Sequence, residues 1–137
     1  MSTHIDPAPE GIAAFLARDL DAPVVMLNLL RFRETADYSS CPDLDPGLEV
    51  GGRDAYATYL EHTAPFVARY GGEMLVRGSG SRFLIGPAEG WDEVLLVRYP
   101  SSRAFLEFSQ DPGYFEGAGH RTAALKDSRL LPLDEAR

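Results

Sequence analysis

The chain has a single cysteine, Cys41, in 137 residues. No intramolecular disulfide can form, and a reducing compartment, the cytoplasm, is the expectation. No apolar run approaches the roughly 20 residues that span a bilayer. The opening MSTHIDPAPE has neither the basic nor the apolar region of a secretory signal. Basic residues are scarce: 13 Lys and Arg against 21 Asp and Glu leave a net charge of −8. That charge repels phosphate backbones and anionic lipid, and no basic cluster offsets it, which argues against nucleic-acid and membrane partners. The three histidines stand far apart, with no HxH, HxxxH or CxxC spacing. No metal motif exists, and no cofactor is expected. The GSGS at 78–81 lies in a strand-like run and opens no helix, and its frame is wrong for a serine elbow.

What is present is a single domain, residues 1–137, with a clear order of elements. Pro9 to Leu20 sets Ile12, Phe15, Leu16 and Leu20 at helical spacing, predicting a short helix within a 1–22 extension. Val24 to Phe32, VVMLNLLRF, has the length and apolarity of a central strand covered on both faces. Residues 33–52 are acidic and aperiodic. A loop of this length is either a lid over a ligand or an idle insertion.

Arg53 to Tyr70 is the main helix, with Tyr56, Tyr59, Leu60, Thr63, Val67 and Tyr70 on one face. Pro65 should kink it, and Gly71-Gly72 should end it with a left-handed turn. Glu73 to Ile85 is predicted as a long strand bent at Gly78 and Gly80, returning through Pro87–Gly90 to a partner strand at Asp92–Tyr99. Ser101 or Ser102 caps the next helix, Asp111-Pro112 restarts it, and it runs to about Lys126. Arg129 to Leu133 is a short last strand, its Pro132 suited to an edge.

This is an α+β order, a ferredoxin-like βαββαβ sandwich with an extra N-terminal helix. Its helices cover one face of the sheet. The strands are apolar on both sides, so a second copy is the natural cover for the other face. The expectation is a homodimer with sheets face to face, a dimeric α/β barrel.

The segments AYATYLEHTAPFVARYGGEMLVRG and WDEVLLVRYPSSRAFLEFSQDPGYFEGAGHR resemble the family called domain of unknown function 1330. The Gly-Gly strand start, the strand-Pro-Ser helix start and the Asp-Pro-x-Tyr break are its specific marks, and the likeness runs from about Val24 to Leu133. The resemblance implies the dimeric α/β-barrel superfamily and the face-to-face dimer. It transfers no catalytic residue. The wider superfamily hosts cofactor-free monooxygenases, lactone isomerases, haem-degrading and haem-binding proteins, so it serves as a prior only.

The candidate site residues come from the strand faces. The wholly apolar side should lie under the helices, which places Asn28, Arg77 and Arg98 in the cavity between sheet and partner. Asn28 is either a ligand anchor or a structural amide satisfied by backbone or by Arg98. Arg77 and Arg98 are shaped to hold a carboxylate or phenolate, or else to pair with acids of the chain. His120 and Arg121 form the adjacent His-Arg pair. His120 is a general base or haem ligand on one reading and a structural helix-end histidine on the other. Tyr59 has a hydroxyl on the buried stripe that needs a partner. His62 is expected to be partly exposed, and His4 to lie in a frayed end. Three functions follow: binding or conversion of a small aromatic or enolisable acid without a metal, a non-catalytic dimeric module, and haem binding.

Overall fold

The computed structural model describes residues 3–135. The elements run α1 (Pro9–Leu16), β1 (Val24–Phe32), α2 (Gly52–Arg69), β2 (Glu73–Ser79), β3 (Glu93–Tyr99), α3 (Ser102–Ser109), α4 (Pro112–Ala124) and β4 (Leu125–Leu133). The strands form one antiparallel sheet in the order β2-β3-β1-β4, the ferredoxin-like arrangement. The apolar nonapeptide VVMLNLLRF occupies an interior position, with β3 on one side and β4 on the other.

Directly opposed residues of an antiparallel pair share a face, so the register fixes which side chains meet. Val24, Met26, Asn28 and Leu30 lie on the side of Tyr99, Val97, Leu95 and Glu93. This is the helix-covered face: Val24, Met26, Leu30, Leu95, Val97 and Tyr99 cluster with Tyr56 and Tyr59 of α2 and with Phe108 of α3. The opposite face carries Val25, Leu27 and Leu29 beside Arg98, Leu96 and Val94, and no helix among the described residues covers it.

The helix ends follow local chemistry. Gly71 takes φ 80°, the left-handed conformation that ends α2 without a Cβ clash. Ser101 accepts a hydrogen bond from Ala104 N at 3.0 Å and starts α3. Asp111 accepts one from Gly113 N at 2.8 Å, with Pro112 at the first position of α4. Pro65 sits inside α2, which continues through it to Arg69.

Several expectations are corrected. The second strand ends at Ser79, six residues before the expected Ile85, and beyond it the pairing thins to the Gly80 N–Asp92 O and Trp91 N–Ser81 O bonds and an isolated bridge between Arg82 and Gly90. Leu84 and Ile85 then stand almost wholly in solvent, since no surface opposes them. The bulge in β2 falls between Met74 and Val76, ahead of Gly78. The last strand begins at Leu125 rather than Arg129, because pairing with Phe32 and Arg31 extends it. The N-terminus is pinned at His4: its N–H donates to Asp127 Oδ1 at 2.8 Å, and its carbonyl accepts from Ser128 Oγ at 2.6 Å.

The acidic segment 33–52 is tied down along its length. Arg33 N bonds to Ala124 O, Asp37 N to Ala123 O, and Ala36 N to Val50 O, each at 2.9 Å. A short 3-10 turn, Pro42–Leu44, packs Cys41 and Leu44 against Gly119 of α4.

Candidate functional site

Two of the three site residues taken from the strand faces share a side, and the third does not. Asn28 pairs with Leu95, and across β3 the same Leu95 pairs with Arg77.

 Both therefore lie on the helix-covered face. Arg98 opposes Val25 and points to the open face, where it forms an ion pair with Glu135. The placement of Asn28 and Arg77 between sheet and partner is thus corrected. The covered face is the mixed one, because α2 and α4 bring polar groups of their own to meet it.

Tyr56 and Tyr59 of α2 and Tyr114 of α4 stand over this face, with the Tyr59 and Tyr114 hydroxyls 2.9 Å apart. Phe32 stacks on Tyr56 at 5.5 Å between ring centres, and Tyr56 on Tyr59 at 5.2 Å. Burial pushes the Tyr56 and Tyr59 phenols well above their ordinary value. The Arg121 guanidinium opposes that rise at both, and Arg77 opposes it weakly at Tyr56. Arg121 itself donates to Ile5 O at 2.8 Å and to Ser128 Oγ at 3.4 Å, which ties the N-terminal segment to the same interior.

Glu93 completes the set, and the sequence did not single it out. It opposes Leu30 and Ser79 on the covered face and is 5% exposed. Its Oε1 faces Arg77 Nε at 3.4 Å and Arg53 Nη1 at 3.8 Å, two cations that are half exposed at the outer end of the site. Its Oε2 is buried without a hydrogen-bond partner. Asn28 donates from Nδ2 to Met26 O at 3.2 Å. The covered face thus combines aromatic side chains, the guanidinium groups of Arg53, Arg77 and Arg121, one amide and one carboxylate.

His120 is brought to a different neighbour. Its Nδ1 lies 2.8 Å from the Tyr38 hydroxyl, which joins α4 to the acidic segment. Burial holds His120 below its ordinary value, with the charge of nearby His62 acting in the same direction, so the ring is neutral at pH 7. His62 is more engaged than expected: its Nε2 lies 2.9 Å from Gly113 O, and its ring packs on Phe66. Among the described residues, no group of three His, Cys, Asp or Glu is placed to hold a metal ion.

Two hollows lie outside this interior. One of about 450 Å³ sits in the acidic segment between Tyr38 and Val50. The other, about 340 Å³, lies on the open sheet face between Leu27, Leu29 and Leu131, with Arg129 at its edge. No helix among the described residues is long and apolar enough to cross a membrane.

Comparison with known proteins places the chain. No curated protein matches it. The RPA0582 protein of Rhodopseudomonas palustris, of unknown function, is 41% identical with a TM-score of 0.86, covering 99% of each chain. SnoaB of Streptomyces nogalater, a cofactor-independent oxygenase, is 15% identical with a TM-score of 0.53, covering 85% of this chain and 95% of its own. A dimeric ferredoxin-like protein of unknown function from Bacteroides fragilis is 9% identical with a TM-score of 0.51, covering 82% of this chain and 96% of its own. Likeness at these last two identities shows the fold alone. The family model for the domain of unknown function DUF1330 matches residues 47–132, and the chain belongs to that family.

Proposed function

We propose that the protein is a homodimer that binds a small aromatic or enolisable organic acid in each protomer, between the sheet and helices α2 and α4. The observation that carries this reading is the register that sets Arg77 and Asn28 on the covered face, on the side of the buried Tyr56 and Tyr59. A guanidinium in such a place suits a carboxylate or phenolate, and the aromatic walls suit its apolar body. Asn28 and Tyr59 supply hydrogen bonds that orient the ligand. His120 is engaged by Tyr38 at the acidic segment and takes no part in this reading. The cofactor-independent chemistry of SnoaB on this fold agrees with that reading without carrying it.

Calorimetric titration with benzoate, phenylacetate and 2-oxo acids tests the site. Arg77 is half exposed, so Arg77→Met should leave the fold intact while weakening binding at least about tenfold, the scale of one charge-assisted hydrogen bond. Absence of binding by every acid at millimolar concentration removes the reading.

A further inference from the structure

Glu93 has no evident reason to be where it is. A carboxylate taken out of water is costly unless its oxygens are partnered. Here Oε1 has two cations at 3.4 and 3.8 Å, whereas Oε2 has none and is shut off from solvent. A residue that served only to balance Arg53 and Arg77 would sit better at the surface, where both guanidinium groups are half exposed. Instead it stands on the covered face two register positions from Asn28, whose Nδ2 is spent on Met26 O and whose Oδ1 takes no hydrogen bond from the described residues. A buried acceptor without a donor therefore sits beside Arg77, a cation proposed to hold the acid.

We infer that Glu93, with Asn28, forms the acceptor end of the site and that the ligand is a hydroxy acid, whose hydroxyl donates to Glu93 Oε2. This rests on the organic-acid reading above and narrows it. A hydroxyl fits better than an ammonium group, because Arg53 and Arg77 already stand against Glu93 and would repel a further positive charge. The site selects by the penalty of an unmet acceptor: an acid without the hydroxyl leaves the buried oxygen as it is, and one with it supplies the missing donor.

The test is calorimetry on the full chain with acid pairs that differ by one hydroxyl: benzoate and 4-hydroxybenzoate, phenylacetate and mandelate, propionate and lactate. The hydroxy member of at least one pair is expected to bind about tenfold tighter or more. In Glu93→Gln, which keeps the shape but loses the charge, and in Glu93→Leu, which loses the acceptor, that preference should shrink to about twofold or less. Equal binding of both members of every pair that binds overturns the role of Glu93 and leaves the organic-acid reading standing. Preference retained in a folded Glu93→Leu chain overturns it as well. Binding of no acid at all defeats both, and the comparison on the native chain decides even where a variant fails to fold.

Discussion

The hydrogen bond between Tyr38 and His120 shows how burial sets the chemistry of single side chains. Burial pushes the Tyr38 phenol up and holds the His120 imidazole down, so at neutral pH a phenol meets a neutral ring. The unfolded chain then takes up a proton at His120 more readily than the folded one. Stability from this group is complete above the unfolded value of about 6.5, declines as pH falls below it, and levels off under the lowered folded value. His120→Gln removes the titration and keeps a hydrogen-bonding group for Tyr38. Its melting temperature should fall less between about pH 7 and pH 5 than that of the native chain. An identical slope in the two proteins would show that His120 carries none of this dependence. At the same scale, Asn28 was legible because an amide stands out within an apolar strand. Glu93 was not, since an acid next to Asp92 at the start of a strand reads as solvent-facing until the register sets it beside Leu30.

At the scale of elements, α2 and α4 approach closely because glycines face the bulky side chains of α2. A Cβ on Gly113 would lie 2.4 Å from the Phe66 ring, and one on Gly117 would lie 2.2 Å from the His62 ring. Gly117→Ala should therefore force the helices apart and destabilise the fold by about 1–3 kcal/mol, the usual cost of overpacking. Urea denaturation measures it, and unchanged stability would mean that the His62 ring turns aside freely. Helix boundaries were the most legible part of the sequence, because Gly71-Gly72, Ser101 and Asp111-Pro112 act through local chemistry. Strand ends were less so. The run at Leu125–Ser128 becomes strand only by pairing with β1, and the apolar Leu84-Ile85 falls outside β2 because nothing pairs with it. The faces failed for the same reason: which side the helices cover depends on what they bring to it.

At the scale of the molecule, the open sheet face is the surface in need of cover. Leu27, Leu29, Val94 and Leu96 line it, and Val76 and Leu131 flank them. An apolar face of this kind is the expected contact of the proposed homodimer. Leu96→Asp puts a charge at its centre and should convert a dimer into a folded monomer, read by native mass spectrometry and circular dichroism. A native chain that is monomeric at micromolar concentration would count against the dimer itself.

The strand order has one more effect. β1 is locked between two neighbours, whereas β2 holds to the sheet along a single edge and is exposed on both sides along its whole length. Such an edge is where a sheet begins to fray. Arg77, at the outer end of the interior, belongs to that strand. The seam expected to open first is therefore also the edge of the proposed site, so breathing of the fold and admission of its ligand would be one movement.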